Sequence, residues 1–330
     1  MVKKIRAAVF EDIQKIVYKD DYPKPEINED ETLVKVHYCA ICGSDITNFK
    51  YKMYNTPLIL GHEFSGIVEQ TGKNVFNFKK GDKVVGVNII PEGNYGKIRG
   101  MGVFRDGGFA DYVKVHKDDL FGVPDSLSLL ECSLIEAFAV STRAIKLSKI
   151  EEKQNIAIIG GGNIGLTTLS VLNATKMPNY TLVIEPHEFL RKKAIDFGAT
   201  DALPPNKAKL RNYFKKNGEP TYIFECAGNE AAIKLSIDLI KHGGSIILGG
   251  IVKGNISFPI FLLNNKEITL KGSISHNKQD VLDAIDLLKK KKISAEPFIS
   301  EIISLKDIQK GFERFLESGE RNFIKIVVEI

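Results

Sequence analysis

Three short stretches of the chain carry side chains able to hold a metal ion. Ala40-Ile41-Cys42-Gly43-Ser44-Asp45 follows a strand-like run, Gly61-His62-Glu63-Phe64-Ser65-Gly66 precedes another, and Leu134-Ile135-Glu136-Ala137 opens an apolar stretch at helical spacing. Together they offer a thiolate, an imidazole and a carboxylate, the mixture of soft and borderline donors that zinc accepts. Three protein donors leave a fourth position open, the layout of a catalytic site in which the metal's charge acidifies a bound water or alcohol. Taken singly, each residue also has an ordinary reading: Cys42 as a small buried apolar side chain, His62 as a hydrogen-bonded turn histidine, Glu136 as a carboxylate favoured by a helix N-terminus. Cys39 and Cys42 share a C-x-x-C spacing, but a redox dithiol would call for a thioredoxin-like context that the surrounding sequence lacks.

A second chemical signal lies in Ile158-Ile159-Gly160-Gly161-Gly162-Asn163-Ile164-Gly165, which fits G-x-G-x-x-G directly after an apolar strand pattern and opens a helical one. Gly160 suits the tight turn, Gly162 leaves room for a pyrophosphate, and Gly165 lets helix and strand pack closely. Asn163 and Ile164 begin the helix whose unpaired N–H groups would meet the phosphates. Glu185 ends the next strand pattern about twenty residues on, where an acidic side chain can grip the adenosine ribose hydroxyls. Its carboxylate would repel a 2′-phosphate, which favours NAD(H) over NADP(H), although the basic His187 and Arg191 lie close by.

These residues need elements to position them. The first third reads as short strands, Arg6 to Phe10, Glu31 to Cys39, Phe64 to Gln70 and Lys83 to Val87, with Gly, Pro and Asp punctuation suited to a mostly-β domain. From Glu136 the pattern alternates: helix Glu136 to Lys146, strand Asn155 to Gly160, helix Ile164 to Thr175, strand Tyr180 to Ile184, helix Glu188 to Phe197, strand Tyr222 to Glu225, helix Glu230 to Lys241 and strand Ser245 to Gly249. Continuous apolar strands alternating with helices are what a doubly wound parallel sheet requires. A strand Glu267 to Lys271, helices Asp280 to Lys292 and Lys306 to Ser318 and a strand Phe323 to Glu329 complete the chain.

Composition sets the outer limits. The 330 residues are 43% hydrophobic and 26% charged, which fits a folded water-soluble protein of about two domains. The net charge of +5 is spread out, and the run Lys289-Lys290-Lys291-Lys292 reads as a helix end rather than a nucleic-acid face. Four cysteines are too few for a disulfide framework. Met1 to Phe10 leads into no apolar signal region, and nowhere do roughly 18 apolar residues run together, so the expected setting is the cytoplasm, with no membrane partner.

The combination of Cys42-Gly43-Ser44-Asp45, Gly61-His62-Glu63, Gly107-Gly108-Phe109-Ala110-Asp111-Tyr112-Val113 and the glycine turn resembles the zinc-dependent medium-chain dehydrogenase/reductase superfamily, in the right order and over essentially the whole chain. The resemblance implies an α/β protein: a GroES-like, mostly-β catalytic domain from residues 1–138 and 275–330, a Rossmann domain from 139–274, and a catalytic zinc in the cleft. It implies Cys42, His62 and Glu136 as zinc ligands, the last in the glutamate form of the sorbitol and polyol dehydrogenases, with Ala137 where a proline is common. Glu63 matches a carboxylate that lies close to the metal and in some relatives coordinates it. Asp45 matches the acid that orients His62, and Ser44 the hydroxyl that carries the substrate proton.

Two departures matter. Thr47 stands where many relatives carry a histidine that completes a proton relay, and Asn88 to Asp106 contains none of the cysteines of a structural zinc lobe. One catalytic zinc per chain and no structural zinc are therefore expected, with Cys42 alone of Cys39, Cys42, Cys132 and Cys226 meeting metal. Lys97, Arg99 and Arg105 form either an ordinary charged loop or a cluster able to bind a phosphate or carboxylate; Ser273 and His276 lie in the segment that approaches the nicotinamide in the family, and His276 could equally be a surface residue. The leading expectation is a zinc- and NAD-dependent alcohol or polyol dehydrogenase acting as a homodimer or homotetramer. A sugar-phosphate or amino-alcohol dehydrogenase on the same scaffold, and a nicotinamide-binding protein without turnover, are the alternatives.

Overall fold

The computed structural model describes residues 3–89, 98–252, 254–258 and 260–330. The chain divides into two compact units, one of Met1–Glu136, His276–Ser318 and Lys325–Ile330, the other of Ala137–Ser275 and Gly319–Ile324.

In the first unit, the larger sheet of the described residues runs in the order Ile299–Ser304, Lys325–Glu329, Glu31–Ala40, Glu63–Thr71, Lys83–Gly86, Leu120–Gly122, with Tyr112–His116 also paired to Glu31–Ala40. Lys4–Asp12 forms a smaller sheet with Lys15–Pro23 and Leu58–Ile59. Register is what prepares the site. Ala40 sits opposite Glu63 and Cys39 opposite Phe64 on one side, while Val327 and Val328 face Ala40 and Cys39 on the other. Ile41 N–H extends the second pairing by donating to the Ile326 carbonyl at 3.0 Å. The strand ends that carry Cys42, His62 with Glu63, and Lys325 are therefore neighbours by backbone hydrogen bonding alone.

The second unit is a parallel sheet of the described strands in the order Asp201–Leu203, Tyr180–Ile184, Asn155–Ile159, Tyr222–Glu225, Ser245–Leu248, Thr269–Gly272. Ile156, Ala157, Ile158, Leu182, Val183 and Ile223 are all at most 1% exposed, because helices such as Asn163–Thr175 and Glu230–Leu239 cover such strands on both faces. Asn155–Ile159 lies between the second and fourth strands of the unit, so the strand order reverses at its C-terminal end, the place where sheets of this winding open a crevice for ligands. The fold class is the expected one, α/β with a mostly-β domain and a Rossmann-type sheet.

Individual elements differ from the sequence reading. The mostly-β region contains a helix, Gly43–Tyr51, whose buried residues are only Asp45, Asn48 and Phe49, too sparse a set to show helical periodicity. The helix expected over Lys306 to Ser318 is a 3₁₀ turn, Leu305–Asp307, followed by the short helix Ile308–Glu313, which buries Ile308, Gly311 and Phe312. The helix before the lysine run spans Lys278–Lys289, so those cations do lie at its end. No helix among the described residues is long and apolar enough to cross a membrane.

Candidate metal centre and cofactor turn

Cys42 immediately precedes helix Gly43–Tyr51, and its N–H donates to Asp45 Oδ2 at 3.0 Å, so the carboxylate in the first turn fixes the entry of the helix. The other oxygen of the same carboxylate lies 3.4 Å from Gly61 N and 3.5 Å from His62 Nδ1. Asp45, 1% exposed, thus braces the loop carrying Cys42 against the loop carrying His62. With Nδ1 on the side of Asp45, Nε2 of His62 faces Ser44 Oγ at 3.2 Å.

The Gly107–Val113 string supports this arrangement from behind. Gly107 N–H donates to Ile59 O, Gly108 N–H to Gly61 O and Phe109 N–H to Leu60 O, at 2.8, 2.8 and 3.2 Å. A Cβ on Gly107 would stand 2.2 Å from the Gly61 carbonyl oxygen, so only glycine allows this backbone contact.

Among the described residues, Cys42, His62 and Glu63 form a group whose donor atoms all lie within 4.8 Å of one another. Glu136 stands beside this group rather than within it, with Oε1 3.3 Å from His276 Nε2. Lys325 enters from the neighbouring strand, 2% exposed, and its Nζ is 2.5 Å from Glu63 Oε2. Neither Lys325 nor His276 offers a local sequence signal for these roles: a lysine in the β-branched run Lys325–Glu329 reads as a solvent-facing position, and His276 gave no sign of burial, yet it is 0% exposed. Only the pairing of segments distant in the chain reveals them.

The electrostatics suit a divalent cation. Burial pushes the Cys42 thiol up, and the Glu63 charge adds to that push. Burial likewise raises the Glu63 carboxyl despite the pull of Lys325. Burial works against charging His62, but Asp45 and Cys42 outweigh it and hold the imidazole well above its ordinary value. Burial also opposes the charge on Glu136, yet His276 and His62 keep its carboxyl below the usual range. A thiol and carboxylates crowded out of water in this way are the donors that a dication stabilises in their deprotonated forms. The residues present fit zinc in donor type, spacing and burial. The other thiols lie outside this group: Cys39 is fully buried and raised well above its ordinary value, and burial pushes Cys132 and Cys226 up to about 12.

In the second unit, Gly162 caps helix Asn163–Thr175, and a Cβ on Gly165 would meet the Gly160 carbonyl oxygen at 1.8 Å. The glycine turn is therefore as tight as the sequence pattern requires. Glu185, 5% exposed, accepts from Gly161 N–H at 2.6 Å and from His187 N–H at 3.0 Å, which locks its carboxylate at the turn. Arg191 donates through Nη1 to the carbonyls of Glu185 and Pro186, and His187 Nδ1 accepts from Arg321 N–H at 3.1 Å. Both basic neighbours of Glu185 are thus engaged with backbone. Arg321, with no motif to announce it, comes from the Gly319–Ile324 segment and sets Nη1 3.9 Å from where a Cβ on Gly162 would be.

Of the other singled-out residues, Arg99 is paired with Asp119 and Asp118, and Arg105 lies 3.5 Å from Glu31 and donates to the Arg99 carbonyl. Both arginines take part in internal ion pairs, and Lys97 lies outside the described residues. Ser273 is buried at 6% exposure.

A dinucleotide turn on a parallel sheet, in a chain that also gathers thiol, imidazole and carboxylate donors, defines a class: metal-dependent dehydrogenases that work with a nicotinamide. Residues 28–125 match the alcohol dehydrogenase GroES-like domain family and residues 163–290 the zinc-binding dehydrogenase family. The chain is 32% identical to the D-xylulose reductase of Saccharomyces cerevisiae, with 92% of each chain covered, and 30% identical to the D-arabitol-phosphate dehydrogenase of Enterococcus avium, with 94% of this chain and 92% of that protein covered. A zinc-binding dehydrogenase from Sinorhizobium meliloti 1021, solved bound to NADP, superposes with a TM-score of 0.90 at 26% identity, covering 99% of this chain and 100% of the other. The chain belongs to the zinc-dependent medium-chain dehydrogenase/reductase superfamily and is an oxidoreductase.

Proposed function

We propose that the protein transfers a hydride between an alcohol carbon of a polyol and NAD(H), with one zinc per chain held by Cys42, His62 and Glu136 and with Glu63 close by, which leaves the fourth position for the substrate oxygen. The observation that carries this reading is Ser44 Oγ at 3.2 Å from His62 Nε2, a hydroxyl beside the donor atoms where a reacting alcohol must lose its proton. When bound, zinc supplies a Lewis acid that lowers the pKa of the substrate hydroxyl, and the nicotinamide supplies the two-electron carrier.

The chain's own residues do the rest. Asp45 beside Nδ1 favours the tautomer that leaves the His62 Nε2 lone pair toward the donors. Ser44 Oγ would accept the alcohol proton as it gives its own hydroxyl proton to water, so the serine ends neutral. The Gly160–Gly165 turn and the N–H groups from Asn163 onward bind the pyrophosphate, with the Arg321 guanidinium at the same turn adding positive charge. Glu185 accepts from the adenosine ribose hydroxyls and disfavours a 2′-phosphate. The Glu185 carboxylate at the turn supports NAD(H), although Arg191, whose Nη1 donates to the Glu185 and Pro186 carbonyls, keeps its charge nearby, and a similar zinc-binding dehydrogenase was solved bound to NADP.

A polyol is favoured by the similarity to the yeast D-xylulose reductase. The second reading, a sugar phosphate, is favoured by the similarity to the arabitol-phosphate enzyme, but Arg99 and Arg105 are neutralised by acidic partners. Assaying xylitol, other polyols, simple alcohols and their phosphates with NAD and NADP side by side separates these readings. Turnover of polyols with NAD is expected, and preference for NADP overturns the role given to Glu185. Cys42→Ser is expected to lose both bound zinc and activity; a variant retaining both refutes the ligand assignment.

A further inference from the structure

His276 is more deeply buried than a surface-loop histidine has reason to be. Its side chain is 0% exposed, and among the described residues neither ring nitrogen has a hydrogen bond of good geometry, while Glu136 Oε1 lies 3.3 Å from Nε2. An imidazole kept out of water with so little compensation is costly. The backbone holds it there from both sides. Ser275, the preceding residue, has φ 53°, a left-handed conformation that non-glycine residues rarely adopt. Asn277, the following residue, caps helix Lys278–Lys289 in a reciprocal pair with Asp280, at 2.9 and 3.0 Å. Strain and capping on either side of a buried side chain mark a conformation that the surroundings impose, and such conformations gather at functional sites.

We propose that His276 is a positioning residue: through Nε2 it holds the Glu136 carboxylate at the edge of the Cys42–His62–Glu63 donors, so that Glu136 takes part in holding the metal. The inference rests on the metal site proposed above. Side chains that hydrogen-bond a metal-ligating carboxylate typically change metal affinity by about 10- to 100-fold when replaced.

The test uses the full-length protein and zinc, with affinity read by competition against a chelator and site geometry by the visible absorption of the cobalt(II) form. NADH binding, carried by the other unit, monitors folding. His276→Phe is expected to weaken zinc binding by about 10- to 100-fold and to alter the cobalt bands while NADH still binds. Glutamine carries its amide nitrogen near the position of Nε2, and asparagine near that of Nδ1. His276→Gln should therefore restore most of the affinity and His276→Asn should not, a distinction that a purely space-filling role would not produce. Combined with Glu136→Gln, His276→Phe should add no further loss. If His276→Phe and His276→Asn keep wild-type zinc affinity and cobalt bands while Glu136→Gln loses them, His276 does not position the carboxylate. If Glu136→Gln itself keeps them, the placing of Glu136 at the metal fails first, and this inference with it.

Discussion

At the scale of single residues, the most consequential contact is the one between Lys325 and Glu63, both at most 2% exposed. Removing one partner of a buried pair leaves the other charge uncompensated, at a cost of about 3–5 kcal/mol. Lys325→Met should lower the stability of the metal-free protein by about that amount in urea denaturation, and adding Glu63→Gln should recover part of it. If the single variant loses less than about 1 kcal/mol, the pair is not what holds these strand ends together. The thiols make a second prediction. With Cys132 and Cys226 pushed up to about 12, the thiolate at pH 8 amounts to about one part in ten thousand, so native protein should leave both unalkylated by iodoacetamide until it unfolds. Mass spectrometry of the treated protein reads the outcome directly. Cys42 and His62 were legible from sequence because their motifs are local; Lys325 and His276 were not, since each acquires its role only from a partner brought near by the fold.

At the scale of elements, the site is a product of strand register. The pairing of Ala40 with Glu63 and of Val327 with Ala40 brings the donor loops together before any side chain interacts. Strands buried on both faces were the easiest to read: Tyr180–Ile184 and Tyr222–Glu225 have the boundaries that their apolar runs suggest. Helix Gly43–Tyr51, which carries Ser44, was hidden because it begins on Asp45 accepting from Cys42 N–H and shows almost no apolar face. The Gly107–Val113 string was legible as a family mark but not as a brace. Gly107→Ala forces a methyl group to 2.2 Å from the Gly61 carbonyl, so it should displace the His62 loop. A zinc affinity at least tenfold lower is the expected result, and unchanged affinity would show that the string does not set the loop.

At the scale of the whole molecule, the chain leaves the first unit after Glu136 and re-enters it at His276, and these two residues face each other across 3.3 Å. The 137–275 stretch is therefore, for the first unit, a very long loop whose ends must meet. While it is unstructured, holding its ends together costs on the order of 4 kcal/mol in chain entropy; once folded, it brings its own ends together and removes that cost. If the parallel sheet forms first, the Glu136–His276 contact no longer bears that closure cost. Ile158→Asp, a charge placed at a fully buried position in the central strand of that sheet, should accordingly weaken zinc retention although no proposed donor lies in the damaged unit. Metal uptake during refolding would then act as a clock for the inserted sheet, lagging behind its secondary structure instead of preceding it.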